Sequence, residues 1–291
     1  MTRTIGAALA AHIATKRARL SRCVRLDLRD GSRVAFTDHD KDLSVNLGDG
    51  AGAIVYRADL GVSVSDIVQT LTLEADNYEL SGPVSETITR LALLGGRFLR
   101  ARAWVFDVRW DAPAQYLALQ YGRVAEAKVS GSRFTMQVRS STDAYNQTIG
   151  RVLSPGCSWD FGVFDPPRSR CPATPMTWNA QVVSVVDAMR FRVDWGTGGP
   201  TAAEALNGLV TFSGGALAGT LPVEIFSLSE DGDVSLYHPL PEAPEVGATL
   251  VITEGCDKLR PTCKEKGFIL DFGGHPDAPG NDDFLQIGRA Q

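Results

Sequence analysis

Four of the five cysteines fall into two pairs, each compact in sequence and far from the other, and a fold for this chain must either bring the pairs together or leave them apart. Cys256 and Cys263 lie in GCDKLRPTC (255–263), and Cys157 and Cys171 bracket CSWDFGVFDPPRSRC (157–171), about ninety residues upstream. Bend-forming residues flank both pairs: Pro155 and Gly156 before Cys157, Pro172 after Cys171, Gly255 before Cys256 and Pro261 before Cys263. Loops of this kind can converge four soft ligands on one tetrahedral thiolate site and aim N–H groups at sulfur. Two disulfides or buried reduced thiols satisfy the same spacing. An odd cysteine count and the lack of an export pattern weigh against disulfides. The spacing matches neither the close pairs of zinc ribbons nor the ferredoxin run, so it does not separate zinc from iron–sulfur. A metal bound by both pairs would clip 157–171 to 256–263, and its binding free energy would become folding free energy of the C-terminal part.

The remaining sequence reads as strands. CVRLDL (23–28) and RVAF (33–36) alternate with period two around Asp30-Gly31, the pattern of a hairpin. GDGAG (48–52) reads as a turn, since no strand-then-helix frame surrounds it. Strand character continues over 63–67, 69–73 and 78–82, and Ser85 is placed to cap a short helix over 86–94 that Gly95-Gly96 closes. RARAWVFDVRW (100–110), 114–124, 126–129 and 133–139 predict an antiparallel meander with one buried face, and Ser141 or Thr142 a last helical turn ending at Gly150. Past the first cysteine loop, 178–186, 189–195, 209–212, 222–228, 233–237 and 249–253 predict a smaller barrel or sandwich of five to seven strands. The stretch from Lys264 is rich in Gly, Pro and Asp and is expected to need the cysteine site or a partner to lean on.

With 291 residues, 44% hydrophobic and 22% charged, the chain can bury two modest cores. A net charge of −5 argues against a nucleic-acid-binding surface. No apolar run reaches the roughly 20 residues of a membrane span. The apolar run 5–14 imitates a signal peptide, but Lys16, Arg17 and Arg19 stand where a small-residue cleavage site belongs. A short helix with Ile5, Leu9, His12, Ile13 and Leu20 near one face is expected there instead.

No catalytic residue is expected. Asp38, His39, Asp40 and Asp42 supply a base and orienting carboxylates, yet neighbours on an extended strand alternate faces. No serine elbow, P-loop or His-Glu-x-x-His occurs. A strand-end turn capped by aspartates accounts for the cluster. His275, Asp277, Asp282 and Asp283 lack the spacing of a calcium loop and read as a solvated tail. Trp104, Phe106, Trp110, Tyr116 and Tyr121 stand at strand spacing and read as core and subunit contact. Cys23 reads as a buried thiol.

FTDHDKDL (36–43), LEADNYELSGPVS (73–85), Gly150-Arg151 ahead of Cys157, and GCDKLRPTCKEK running into HPDAPGNDDF (275–284) together carry a family pattern. On them, nearly the whole chain resembles the tail-hub (baseplate hub) proteins of long-tailed phages and gene transfer agents, and more distantly the lambda-like tail-tip L protein. After Cys263 the chain departs from that pattern, reading KGFILDFGGHPDAPGND, and its 157–171 segment is longer and richer in proline.

The resemblance implies a mainly β protein of antiparallel barrel or sandwich modules, with a short N-terminal helix and a cysteine-stapled C-terminal segment. Its parts would be a hub domain (1–150), a cysteine-bearing connector (151–175), a second barrel (176–255) and a cluster-binding segment (256–291). It implies an iron–sulfur cluster of the 4Fe-4S type on Cys157, Cys171, Cys256 and Cys263, with zinc the alternative. It also implies a homotrimer in the virion tail, assembled in the bacterial cytoplasm. The expected neighbours are a distal tail or tail-tube protein, a central tail-tip protein and a cell-wall peptidase, with no specific nucleic-acid binding. The competing classes are an iron–sulfur or hydrolytic enzyme and a zinc-stapled binding module.

Overall fold

The computed structural model describes residues 5–15, 18–58, 61–65, 77–146, 150, 153–166 and 168–277. The chain divides into two compact units, Met1–Gln147 and Thr148–Gln291. The mainly β, antiparallel architecture with a short N-terminal helix is as expected.

The first unit opens with α1 (Ala7–Ile13), which buries Leu9. Its strands are β1 (Leu20–Asp27), β2 (Arg33–Thr37), β3 (Leu43–Asn46), β4 (Ala53–Tyr56), β5 (Ser63–Val64), β6 (Asn77–Pro83), β7 (Arg102–Arg109), β8 (Tyr116–Ser130) and β9 (Arg133–Ser140), with α2 (Arg90–Leu94) between β6 and β7. Seven of them form a half-barrel sheet in the order β2-β1-β7-β8-β9-β6-β5. Period-two alternation sends Val24, Leu26, Val105, Val124, Met136 and Val138 to one face, where they build the main core with Phe98 and Ile88. On the opposite face Cys23, Phe106 and Val108 pack under the separate β3–β4 hairpin through Val45 and Tyr56.

Local chemistry explains where the expectations shift. The strand predicted to break at Ala125 is continuous, because a bulge between Val124 and Glu126 absorbs the interruption. The helix predicted over 86–94 begins only at Arg90. Thr89 caps it, accepting from the Ala92 N–H, whereas the Ser85 hydroxyl accepts from Ile88 N–H in a local turn. Gly95 and Gly96 close the helix as expected, Gly96 at φ 73°. The turn after β9 is a 3-10 turn, Ser141–Asn146. The strand expected at 69–73, part of that at 63–67, and Arg151 lie outside the described residues.

In the second unit a small hairpin, β10 (Phe164–Asp165) and β11 (Ser169–Arg170), lies within the segment expected to be irregular. Then come β12 (Thr177–Val185), β13 (Arg190–Asp194), α3 (Ala202–Ala205), β14 (Leu209–Phe212), β15 (Val223–Leu228), β16 (Asp233–Leu236) and β17 (Thr249–Thr253). The six strands from β12 to β17 close a barrel in the order β12-β13-β16-β15-β14-β17, within the range expected. Val182, Phe191, Val210, Phe212, Ile225 and Leu250 are among its buried side chains. Closure is made by β12 against β17, which pair from Thr177↔Thr253 to Gln181↔Thr249. After the barrel comes α4 (Arg260–Glu265). Among the described residues no helix is long and apolar enough to cross a membrane.

Candidate functional site

Barrel closure decides whether the cysteine pairs meet. Because the first barrel strand pairs with the last, the chain enters at Met176 and leaves at Glu254 side by side: Glu254 N–H donates to the Met176 carbonyl at 2.8 Å, and the Glu254 carboxylate accepts from Met176 N–H at 3.0 Å. The segment ending at Cys171 and the segment beginning at Cys256 therefore start from one seam. Gly255 fits there because a Cβ would strike the Leu206 carbonyl oxygen at 2.0 Å. The glycine serves a close backbone approach, sealed by Gly255 N–H to the Glu204 carbonyl at 2.8 Å, and not the bend its position suggested.

All four paired cysteines line one cavity of about 30 Å³, walled also by Trp159, Phe161, Phe268 and Phe272. Each is partly buried, and none forms a disulfide. Three come from loops, but Cys263 lies within α4, where a bend had been expected. Pro261 in the first helical turn starts this helix instead of breaking a loop, since its missing N–H falls where helices leave donors unpaired.

Backbone donors point at sulfur. Lys258 N–H approaches Cys256 Sγ and Gly273 N–H approaches Cys157 Sγ, both at 3.4 Å, while the Cys263 thiol donates to the Phe268 carbonyl at 3.3 Å. Lys258 takes a left-handed backbone (φ 63°) beside Cys256. It also ties the segments together: its carbonyl accepts from Cys157 N–H at 2.8 Å and its ammonium donates to the Trp159 carbonyl at 2.5 Å. Burial pushes the Cys256 thiol pKa up, against the pull of Lys258 N–H. Burial also raises that of Cys263, followed by the neighbouring Cys157, Cys171 and Cys256. At the rim the buried Glu254 carboxylate pairs with the Lys266 ammonium, which stands 5.4 Å from the Phe161 ring centroid.

As far as Asp277, the residues after Cys263 lie against the first cysteine segment. A 3-10 turn at Ile269–Asp271, His275 N–H to the Ser154 carbonyl (2.8 Å) and the Ser158 hydroxyl to the Gly273 carbonyl (3.2 Å) lace them to the first cysteine segment. Sequence reasoning missed Lys258, Trp159, Glu254, Lys266 and Gly273. Lys258 and Lys266 lie inside the GCDKLRPTCKEK element and Trp159 inside CSWDFGVFDPPRSRC, yet no local pattern marked their roles.

The other polar clusters are spent on backbone. Asp38 accepts from the Ser21 hydroxyl (2.5 Å) and Arg22 N–H (2.7 Å), Asp42 accepts from Ala58 N–H (2.9 Å), and His39 Nδ1 accepts from Lys41 N–H (3.0 Å). Asp277 meets Arg260 at 3.3 Å, while Asp282 and Asp283 lie outside the described residues. Cys23 is fully buried, its thiol pKa pushed up to about 12 mainly by desolvation. Phe106 is core, Trp104 stacks with Tyr121 at 4.4 Å between ring centroids, and Trp110 is exposed.

Among the described residues no three His, Cys, Asp or Glu side chains stand in position to hold a single metal ion. A lone zinc needs four thiolates about 2.3 Å from one point. Four thiols lining one apolar cavity, two of them facing N–H donors, are the soft donor set that either a zinc ion or an iron–sulfur group would take.

Fold and site together define a β-built protein whose distinctive chemistry is a thiol-lined cavity beside a barrel seam. Residues 6–171 match the family described as baseplate hub protein, N-terminal attachment domain. Residues 206–282 match a family described as phage conserved hypothetical protein BR0599. A chain of a solved virion of a native gene transfer agent particle is 29% identical, with a TM-score of 0.79 over 96% of this chain and 95% of that one. No curated protein matches. The chain belongs to the baseplate hub protein family, as the sequence resemblance implied, and is a structural baseplate protein.

Proposed function

We propose that the protein is a tail-hub subunit of a gene transfer agent or long-tailed phage, joining the tail tube to the tip assembly, with an iron–sulfur cluster held by Cys157, Cys171, Cys256 and Cys263. The observation that carries the cluster is the meeting of all four paired cysteines at one cavity with N–H groups facing sulfur. When bound, the group would supply a cross-link between chain segments, not electron transfer. The chain's own residues do the rest: Lys258 bridges the two segments, and Glu254 with Lys266 closes the rim. The likeness to a chain of a gene transfer agent virion and the baseplate hub match support a place in the particle; in this reading the subunit sits in the virion tail, is built in the bacterial cytoplasm and meets a distal tail or tube protein, a central tip protein and a cell-wall peptidase. We take the subunit to be a homotrimer without enzymatic activity.

Anaerobically purified protein is expected to be brown, with iron and acid-labile sulfide. Cys256→Ser or Cys263→Ser should abolish that absorbance and the incorporation of the protein into particles. Colourless protein with one zinc would replace the cluster by a zinc staple, and infectious particles carrying either variant would refute the structural role.

A further inference from the structure

We propose that the first unit carries an anion site that seats a carboxylate-rich segment of a neighbouring tail protein. The inference rests on the hub reading, and deepens it by naming the chemistry of one partner. A cleft of about 350 Å³ is lined by Asp27, Leu28, Arg29, Arg100, Arg102 and Arg123.

Sheet register builds this cluster. Asp27 stands opposite Arg102, Arg102 opposite Arg123, and Arg123 opposite Arg139, so one row across four strands puts three arginines side by side on one face. Like charges directly opposite each other on a sheet are destabilising. Arg139 has Asp143 at 3.3 Å. Asp27, the carboxylate in the cleft wall, is engaged by Arg25 at 3.1 Å and Arg33 at 3.4 Å. Arg29, Arg100, Arg102 and Arg123 are exposed, and among the described residues no carboxylate pairs with them. Arg100 is moreover held in the left-handed region (φ 62°), unfavourable for a side-chain-bearing residue, by its N–H to the Val124 carbonyl at 2.8 Å. Four arginines lining one cleft, whose one carboxylate is taken up by Arg25 and Arg33, form a site that planar carboxylates complete by paired hydrogen bonds.

The next row on the same face favours a protein over a nucleic acid. There Trp104 and Tyr121, both half-buried, stand in register with ring centroids 4.4 Å apart, next to the buried Arg25. Partly exposed Trp and Tyr bordering the exposed Arg102 and Arg123 match the composition of protein-interface hot spots. The chain's net charge of −5 opposes a long polyanion, whereas a short acidic segment meets only the local field. The family's description of this region as an attachment domain agrees with a docking role.

The test uses the full chain and two fluorescent probes, hexaglutamate and a short DNA duplex. Hexaglutamate should bind in a salt-sensitive way, and Arg102→Gln with Arg123→Gln should weaken it by about tenfold or more. Arg139→Gln, outside the cleft, should change it by less than about twofold. Because Arg102 and Arg123 make no side-chain ion pair among the described residues, the double variant should melt no lower than the parent at low salt, and hexaglutamate should raise the melting temperature of the parent alone. Hexaglutamate binding that is absent, or unaltered in the double variant, would overturn the site. Tighter binding of the duplex through the same two arginines would overturn the protein partner in favour of nucleic acid. The hub reading is tested apart from this, by whether the protein is present in purified particles.

Discussion

The second unit holds two regions built on opposite principles. The β12–β17 barrel satisfies its backbone by strand pairing all the way round, and alternation fills its centre with Val182, Phe191, Val210, Phe212, Ile225 and Leu250. The cysteine region beside it has short elements, few buried apolar side chains and walls around a void. Its cohesion comes from single bonds between distant segments, such as Lys258 to Trp159 and His275 to Ser154. A closed barrel needs nothing from outside itself; a laced cavity gains most from whatever fills it.

That contrast can be broken most directly at Cys263. Changing it to Ser should remove the bound group and loosen residues 153–175 and 256–277, seen as faster amide hydrogen exchange, while exchange in the barrel strands stays slow. Equal acceleration in both regions would mean that the barrel depends on the staple. The converse cut is Phe191→Ala, which empties the barrel centre beside Phe212 and should cost about 3–5 kcal/mol in denaturant unfolding. A loss below about 1 kcal/mol would show that the barrel core is not what holds it.

At the seam the two regions share Glu254. Its replacement by Ala strips the partner from Lys266 and from Met176 N–H, and should cost about 2 kcal/mol. This is less than for a fully enclosed pair, because Lys266 keeps 32% of its side-chain exposure. A variant that keeps its stability would remove the seam as a point of coupling.

The smallest effect belongs to the capping box of α3. Thr201→Ala should cost about 1 kcal/mol, read as a shift in the urea midpoint. Hydrogen bonds from the Thr201 backbone and hydroxyl hold the Glu204 carboxyl pKa below its ordinary value. Its folded pKa being depressed, the contribution is present above the ordinary glutamate pKa and fades as pH falls through the lowered one. The variant should therefore differ most from the parent near neutral pH and converge with it in acid.

Much of this was legible in the chain. Strict alternation located the strands of both units because a one-residue slip would turn Val24 or Leu250 to the wrong face. The cysteine pairs announced themselves, but their convergence did not: it depends on which strand closes the barrel, a pairing of Thr177 with Thr253 that no local pattern encodes. The residues that finish the cavity were hidden for the same reason. Trp159 and Gly273 are distant in sequence, and a Cβ on Gly273 would lie 2.3 Å from the Trp159 indole nitrogen, a fit that exists only once the segments meet. The start of α2 at Arg90, and not at Glu86, turned on whether Ser85 or Thr89 supplied the cap, and both are good caps in isolation.

The seam also sets an order of events. A chain newly made, with its first and last barrel strands still unzipped, cannot present its four thiols to a single acceptor, since the two halves of the site belong to opposite ends of a loop spanning 177–253. Were the proposed cluster to bind, its loading would wait on completion of the barrel, and a filled site would report that the neighbouring barrel has folded.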